Sequence, residues 1–395
     1  MSILVGIIGK PNVGKSTFFS ALTENQVEIG NYPFTTIESN KGVTYVRSKC
    51  PHVEIGRKCS PRFGKCNEGI RMVPVEVIDV AGLVPGAHEG KGLGNKFLDD
   101  LRRADGFIQV IDGTGSLDRN GNFVGHGKFD PLDDSNFVHE EIVLWLSSII
   151  SDGLIKGLRK IESEGGKIET FIATKVSGLG IDEKTVSVAL KRAGMPSSLR
   201  EWNDETTKNL AEELISLSKP GIIVATKGDR MTSDERKKLS ENGVIVVSGD
   251  YELVLRRATK AGLIDYNPGD KDFRILREDK LNREQMNALE AVRSYIRENN
   301  GTGVQEAIEK LVYSILKMIV VYPVEDETHW TDKGGNVLPD ALLMKDGSTA
   351  LDLAFKIHTD LGDNFIRAIN GRSKRILGKE YVLKDNDIIK IISSH

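Results

Sequence analysis

The stretch GKPNVGKS, residues 9 to 16, decides the fold class of this chain. It matches the pattern G-x-x-x-x-G-K-[ST], directly after the apolar run ILVGII (3–8) and at the start of the helical stretch GKSTFFSALTE (14–24). Glycines allow backbone N–H groups to wrap around a phosphate, and the N-terminus of the following helix adds a positive dipole end. In this setting the pattern predicts a phosphate-binding loop rather than a glycine turn with a chance lysine.

Each residue of the loop has a predicted part in binding. Lys15 is expected to reach the β and γ phosphates, and Ser16 to offer its hydroxyl to Mg²⁺. The predicted phosphate-binding residues are Gly9, Asn12, Val13, Gly14, Lys15, Ser16 and Thr17.

Strand-like and helix-like stretches alternate around this loop. The runs VPVEVIDV (73–80), GFIQVID (106–112) and GIIVAT (221–226) have the apolar character of buried strands. Between Asp130 and Pro220 apolar residues recur at helical spacing instead, and the tail after residue 320 mixes strand, turn and helix. We therefore predict an α/β fold with a parallel-sheet core, residues 1–129 with 218–320, a helical insertion, 130–217, and a small α+β domain, 321–395.

The composition is that of a soluble globular protein, with 39% hydrophobic and 28% charged residues in 395 and no apolar run of membrane-spanning length. Three cysteines fit a reducing compartment, and the N-terminus lacks the features of an export signal. The net charge of −3 gives no whole-chain reason to expect nucleic acid. We expect a cytoplasmic protein with no membrane partner, and we favour a monomer.

A second segment, DVAG, ends the strand at residues 79–82. Asp79 is placed there to hold Mg²⁺, and the N–H group of Gly82 to meet the γ-phosphate. The intervening stretch GNYPFTTIESN (30–40) is a candidate mobile loop in which Thr36, or less favourably Thr35, would be a further Mg²⁺ ligand. A polar turn around Pro33 is the alternative for that stretch.

The motif TKGD, residues 226–229, predicts the site for the base. A carboxylate at Asp229 accepts hydrogen bonds from N1 and N2 of guanine, whereas adenine would leave that charge unpaired. Thr226 stands where asparagine is usual, so we expect a weaker tether to the phosphate loop. Lys227 is expected to lie over the base plane, and Ser248 to support the base edge, unless VVSGD (246–250) is a simple strand-end turn.

These segments in order resemble a known family. KPNVGKST (10–17), YPFTT (32–36) and DVAGLVPGAHEGKGLGNKFLDDLRRAD (79–105) are similar to the Obg family of GTPases. The helical insertion and the tail GSTALDLAFKIHTDLGDNFIRAI (347–369) narrow the resemblance to the YchF-type branch, in an archaeal form. The tail resembles a TGS domain, a β-grasp module.

The resemblance implies a P-loop GTPase fold and a nucleotide-dependent switch associated with the ribosome or translation. Well-known members of the YchF branch have lost the guanine-reading aspartate and prefer ATP, whereas this sequence keeps Asp229. We therefore expect binding of GTP and GDP and slow hydrolysis of GTP. Two alternatives stay open, an RNA-binding or ribosome-binding scaffold with incidental hydrolysis and an Obg-like ATPase with relaxed base specificity.

Leu83 stands where many GTPases carry the glutamine that orients the attacking water. A leucine cannot hold a water, so the resemblance implies hydrolysis by other groups. Asn12, which in related GTPases helps to hold a potassium ion, is one candidate. His88, in a glycine-rich loop, is another, although a solvated loop histidine is the reading that we favour.

Two further clusters lie outside these motifs. Cys50, His52, Cys59 and Cys66 offer ligands that suit Zn²⁺, but their spacing has no C-x-x-C pair, and reduced loop cysteines are the alternative. The basic residues Arg372, Lys374 and Arg375 of the tail are candidates for RNA contact, and a solvated basic face is the alternative.

Overall fold

The computed structural model describes residues 3–23, 40–80, 82, 86, 102–154, 157, 161, 163, 165–196 and 201–394. Its larger sheet has seven strands: β1 Leu4–Ile8, β2 Lys41–Lys49, β3 Cys66–Asn67, β4 Ile70–Asp79, β5 Gly106–Asp112, β6 Gly221–Thr226 and β7 Ile245–Val246. Their order is β2-β4-β1-β5-β6-β7, and β3 pairs with β4.

The centre of this sheet is parallel, as the sequence predicts. β1 pairs in parallel with β4 and β5, and β6 pairs in parallel with β5 and β7. The edge differs, because β2 runs antiparallel to β4 from Lys41 opposite Ile78 to Lys49 opposite Ile70. Since the carboxyl ends of parallel strands meet at one edge, the segments that follow β1, β4, β5 and β6 lie close together.

Twelve helices lie in the described part of the chain: α1 Lys15–Thr23, α2 His52–Ile55, α3 Pro131–Ser151, α4 Ile168–Val176, α5 Glu183–Arg192, α6 Asp204–Ser218, α7 Ser233–Glu241, α8 Gly249–Lys260, α9 Arg283–Asn299, α10 Val304–Glu309, α11 Ala350–Ile357 and α12 Thr359–Asp363. A π-helical turn, Lys310–Ile315, follows α10. A two-stranded hairpin, β8 Ile264–Asp265 and β9 Arg274–Ile275, lies between α8 and α9.

Helices α3 to α6 occupy the stretch for which the sequence predicts a helical insertion. α3 begins at Pro131, after Asp130 caps it by accepting a hydrogen bond from the Leu132 N–H group at 3.0 Å. The alternation of β1 explains how these helices attach to the sheet. Leu4 and Ile8 are buried in one core cluster with α3 and α6, whereas Val5 and Ile7 point to the opposite face.

The C-terminal sheet contains β10 Met318–Val324, β11 Leu342–Lys345, β12 Phe365–Asn370, β13 Ile376–Leu377 and β14 Ile388–Ser393, in the order β11-β10-β14-β12-β13. Its central pair, β10 and β14, is parallel, and the other pairs are antiparallel. Buried Leu353 of α11 packs on this sheet. β10 crosses the boundary predicted at residues 320 and 321.

The two sheets share one buried core. Val46 of β2 and Val73 of β4 belong to the same hydrophobic cluster as Tyr322 of β10 and Trp330. The C-terminal part is therefore packed against the antiparallel edge of the larger sheet. Among the helices that the structure describes, none combines the length and the apolar character needed to cross a membrane.

Candidate nucleotide-binding site

The predicted phosphate loop joins β1 to α1 and has the backbone that its glycines allow. Gly9 has φ 151° and Gly14 has φ 93°, both in the region that favours glycine. A Cβ atom on Gly9 would lie 2.3 Å from the carbonyl oxygen of Val110, so no side chain fits at this position. The close approach of β5 therefore requires the first glycine of the motif.

Lys15 is buried at the start of α1. Its ammonium group donates a hydrogen bond to the carbonyl oxygen of Lys10 at 2.7 Å, and burial lowers the pKa of Lys15 against the opposing charge of Asp79. A Cβ atom on Gly82 would lie 3.2 Å from the Lys15 Nζ atom. Gly82 of the DVAG segment therefore lies beside the lysine of the predicted phosphate loop.

Ser16 and Asp79, two predicted ligands of Mg²⁺, are in contact. The Ser16 hydroxyl donates to Asp79 Oδ2 at 3.1 Å, while the buried Oδ1 atom of Asp79 has no hydrogen-bond partner among the described residues. Burial raises the pKa of Asp79, although Ser16 and Lys15 oppose this rise. An unpartnered carboxylate oxygen beside a hydroxyl fits a hard divalent cation, so these two residues would hold Mg²⁺.

Thr226 links the end of β6 to the phosphate loop. Its hydroxyl lies 2.5 Å from the carbonyl oxygen of Val13 and 3.1 Å from that of Ile111. A hydroxyl has one proton to donate, and the shorter distance assigns it to Val13. The threonine is buried and reaches the loop backbone without the amide that is usual here.

The carboxylate of Asp229 is oriented by Ser248. The Ser248 hydroxyl donates to Asp229 Oδ1 at 2.7 Å, and the Ser248 side chain also accepts a hydrogen bond from Tyr251 N at 3.3 Å as the N-cap of α8. Ser248 is fully buried, and the Asp229 side chain is 11% exposed. In this structure Ser248 contacts the carboxylate that is predicted to read the base, whereas the sequence predicts that Ser248 supports the base edge itself.

Lys227 has φ 61°, and its ammonium group lies 3.1 Å from Asp112 Oδ1. Asp112 is buried at the end of β5 and accepts hydrogen bonds from the hydroxyls of Thr114 at 2.7 Å and Ser116 at 2.6 Å. Burial favours a higher pKa for Asp112, but these hydrogen bonds and the Lys227 charge outweigh it and hold the pKa below its ordinary value. Sequence reasoning missed this aspartate, although it ends a strand run just as Asp79 does.

Lys10 is a second residue that sequence reasoning missed. It is 1% exposed, and its ammonium group lies 2.6 Å from Asp134 Oδ1 on α3 and 2.8 Å from the carbonyl oxygen of Asp118. The neighbouring Asn12 side chain donates to the carbonyl oxygen of Gly121 at 3.0 Å. The phosphate loop is thereby attached to the insertion and to the segment before it.

Several predicted residues lie away from this site or outside the described part. Thr36, Leu83 and His88 lie outside the described residues. Arg372 forms two hydrogen bonds of 2.7 Å with the carboxylate of Glu54, while the Arg375 side chain is exposed. Lys374 donates to the carbonyl oxygen of Gly371 at 2.6 Å. The three cysteines and His52 do converge, beside the start of β4, whereas the phosphate loop lies near the end of that strand.

Family comparisons cover most of the chain. A model described as 50S ribosome-binding GTPase matches residues 4–137, and one described as Obg-like GTPase YGR210-like, G4 motif-containing domain matches residues 224–326. A TGS domain model matches residues 334–393. The second match includes Asp229 and Ser248.

Two curated relatives span nearly the whole chain. An uncharacterized GTP-binding protein of Methanocaldococcus jannaschii is 49% identical over 396 residues, with 99% of both chains covered. Obg-like ATPase 1 of Homo sapiens is 28% identical over 413 residues, which cover 98% of this chain and 91% of that protein.

Two solved structures have the same architecture. A GTP-binding protein from Pyrococcus horikoshii matches with a TM-score of 0.79 and 37% identity, covering 99% of this chain and 100% of that chain. The YchF GTPase of Schizosaccharomyces pombe matches with a TM-score of 0.57 and 22% identity over 99% and 98% of the two chains, a likeness of fold. From its relatives and its domain models, the chain belongs to the Obg-like GTPase family and has a C-terminal TGS domain.

Proposed function

We propose that this protein is a Mg²⁺-dependent switch that binds and hydrolyses GTP. The observation that carries the proposal is the contact between Ser248 and Asp229 at 2.7 Å, at the same sheet edge as Lys15 and Asp79. A hydroxyl that donates to one carboxylate oxygen fixes the carboxylate and leaves its remaining lone pairs for a ligand. The relative from Methanocaldococcus jannaschii, named a GTP-binding protein, supports the same nucleotide.

Guanine suits this carboxylate because its N1 and N2 atoms are adjacent hydrogen-bond donors. Adenine offers an acceptor at N1, which would face the negative charge of Asp229 and leave it without a donor. Polar sites of this kind reject the wrong ligand by factors up to about 10⁴ to 10⁵. The hydrogen bond from Thr226 to the Val13 carbonyl group would hold the base site at a constant distance from the phosphate loop.

The phosphate end of the site supplies positive charge and ligands. Lys15 would leave its contact with the Lys10 carbonyl group to meet phosphate oxygens, and Ser16 with Asp79 would hold Mg²⁺. Bound Mg²⁺ neutralises charge that develops on the phosphates during transfer. Leu83 stands in the position of the usual glutamine, so we expect slow hydrolysis of GTP. We also expect Asn12 to hold a potassium ion that assists this hydrolysis.

An ATP-hydrolysing role is the second candidate, since one relative is named Obg-like ATPase 1. The buried Ser248–Asp229 pair favours GTP over it. A ribosome or RNA partner is supported by the family description of residues 4–137 and by the TGS match. In a scaffold role, nucleotide would act only as a conformational ligand.

Phosphate release by the purified chain, with and without ribosomes, separates a GTPase from a scaffold. We expect release of phosphate from GTP that depends on Mg²⁺ and is faster with ribosomes. The Lys15→Ala variant is the control, because it lacks the charge that is expected to bind the phosphates. Wild-type release equal to that of Lys15→Ala under both conditions would contradict the enzymatic role.

A further inference from the structure

All three cysteines of the chain meet His52 beside the antiparallel edge of the larger sheet. Cys50 Sγ lies 3.8 Å from Cys59 Sγ, and Cys66 Sγ lies 3.6 Å from His52 Nδ1. The four ligand atoms all lie within 4.8 Å of one another. Their residues come from the end of β2, from α2, from the loop after α2 and from β3.

We propose that these four residues form a structural Zn²⁺ site. With Zn–S bonds of about 2.3 Å and a Zn–N bond of about 2.1 Å, a tetrahedron has edges of about 3.8 Å between two sulfurs and about 3.6 Å between sulfur and nitrogen. The distances Cys50–Cys59 and Cys66–His52 equal these two edges. Four protein ligands close the coordination shell, which is the arrangement of a structural site.

Simple packing of reduced cysteines explains these contacts less well. A separation of 3.8 Å between Cys50 and Cys59 is far longer than a disulfide bond of about 2.05 Å, so the cysteines are not joined in pairs. Thiols that only fill a core behave as small apolar groups and have no need of an imidazole among them. One imidazole and three thiols in mutual contact are the set of ligands that binds a metal cation such as Zn²⁺.

Arg71 supplies the charge that such a site needs. Zn²⁺ with three thiolates and one neutral imidazole carries one net negative charge, which is costly to bury without compensation. Arg71 is 1% exposed, and its Nη1 atom lies 3.8 Å from Cys59 Sγ. Its hydrogen bonds go to sulfur and to two backbone carbonyl groups, and no carboxylate of the described residues forms an ion pair with it.

The hairpin formed by β2 and β4 brings the ligands together. The Cys50 N–H group donates to the carbonyl oxygen of Gly69 at 2.7 Å, and Cys66 on β3 lies opposite Arg71 on β4. Positions 50 and 66 therefore become neighbours by strand pairing, although sixteen positions separate them in sequence. His52 and Cys59 come from the segment between them, and their ligand atoms lie within 4.8 Å of the two thiols.

The zinc site would brace the contact between the two sheets. Within its loop, the Ser60 N–H group donates to the Val337 carbonyl group at 2.9 Å, and the Arg62 N–H group donates to that of Pro339 at 2.8 Å. Glu54, two residues after His52, forms the ion pair with Arg372. A cation that fixes this loop therefore fixes the surface on which the C-terminal domain rests.

Metal analysis of the 395-residue chain, purified after expression with added zinc, tests the proposal. We expect about one zinc ion per chain, as four protein ligands imply. Cys59→Ser and Cys66→Ser are expected to lose most of the zinc, and His52→Cys to retain it, because a fourth thiolate replaces the imidazole. His126→Ala, which removes an exposed histidine paired with Glu235, is the matched control and is expected to keep full occupancy.

Cobalt substitution in the wild-type chain keeps the test decisive where a serine variant fails to fold. Co²⁺ in the site is expected to give thiolate-to-cobalt charge-transfer bands and the strong visible bands of a tetrahedral complex. Zinc near zero in wild-type protein after zinc is added, or Co²⁺ bound without thiolate bands, overturns the proposal. Loss of zinc from His126→Ala to the same degree as from Cys66→Ser would also overturn it.

Discussion

Lys10 of the phosphate loop and Asp134 of the helical insertion form an ion pair of 2.6 Å, although 124 positions separate them in sequence. The lysine is 1% exposed and the aspartate 14% exposed, so water screens the pair little. The main chain of Lys10 also accepts the hydrogen bond from Lys15. The ion pair therefore joins the phosphate loop directly to the first helix of the insertion.

The Asp134→Asn variant should lose stability because the buried ammonium group of Lys10 then lacks its counter-charge. Breaking one side of such a pair costs about 3 kcal/mol in the free energy of unfolding. Urea unfolding at pH 7 measures this loss. Asp133→Asn, at an exposed position of the same helix turn, is the control and should change stability by less than about 1 kcal/mol. Equal losses in both variants would show that the pair contributes nothing specific.

Ser248→Ala should weaken GTP binding through Asp229. The variant removes the donor that orients the carboxylate, and a hydrogen bond to a charged group contributes about 1.5 kcal/mol or more, roughly a tenfold change in Kd. Titration with GTP measures the change, and Ser240→Ala, at an exposed position on α7, is the control. Affinity for tripolyphosphate, which has no base, should stay the same. A parallel loss for tripolyphosphate would mean that the serine only supports the fold.

Potassium should accelerate GTP hydrolysis through Asn12. A cation between the phosphates lowers the barrier, and about 1.4 kcal/mol corresponds to a tenfold faster single turnover in KCl than in NaCl at the same ionic strength. Asn12→Ala should abolish the difference between the two salts while it also removes the hydrogen bond to the Gly121 carbonyl group. Identical rates of the wild-type chain in both salts would exclude this role.

Ribosome contact by the tail should depend on Arg375 rather than on Arg372. Arg375 is exposed, whereas Arg372 is held by Glu54. Each phosphate contact adds to affinity and to its salt dependence, so Arg375→Glu should lower co-sedimentation with ribosomes several-fold at low salt. Arg283→Glu, at an exposed position at the start of α9, is the control. Unchanged co-sedimentation of Arg375→Glu would place the docking surface elsewhere.

Motifs whose chemistry depends on local spacing could be predicted from sequence. The phosphate loop and TKGD belong to this class, because the residues that define each motif are consecutive in the sequence. The parallel centre of the sheet followed from its apolar runs. The antiparallel direction of β2 could not be predicted. The same residues can form a parallel or an antiparallel strand, and only the pairing with β4 decides between them.

Contacts between distant segments could not be predicted. Asp112 and Lys227 meet because β5 and β6 end at the same edge, and nothing near either residue in sequence indicates the pair. The sequence predicts Ser248 near the base but does not predict its hydrogen bond to Asp229. That contact depends on the position of Ser248 as the N-cap of α8. The cysteines have no C-x-x-C spacing, so only the pairing of β3 with β4 reveals that Cys66 returns to Cys50.

Dissociation constants of GTP, ATP and xanthosine triphosphate, measured for the wild-type chain and Asp229→Asn, test the central claim most directly. Xanthine replaces the N2 donors of guanine by an acceptor, which an asparagine amide can match and an aspartate cannot. We predict that the wild-type chain binds GTP at least about 100-fold more tightly than ATP, and that Asp229→Asn transfers the preference to xanthosine triphosphate. Equal or tighter binding of ATP by the wild-type chain, or an unchanged preference in Asp229→Asn, would contradict the account.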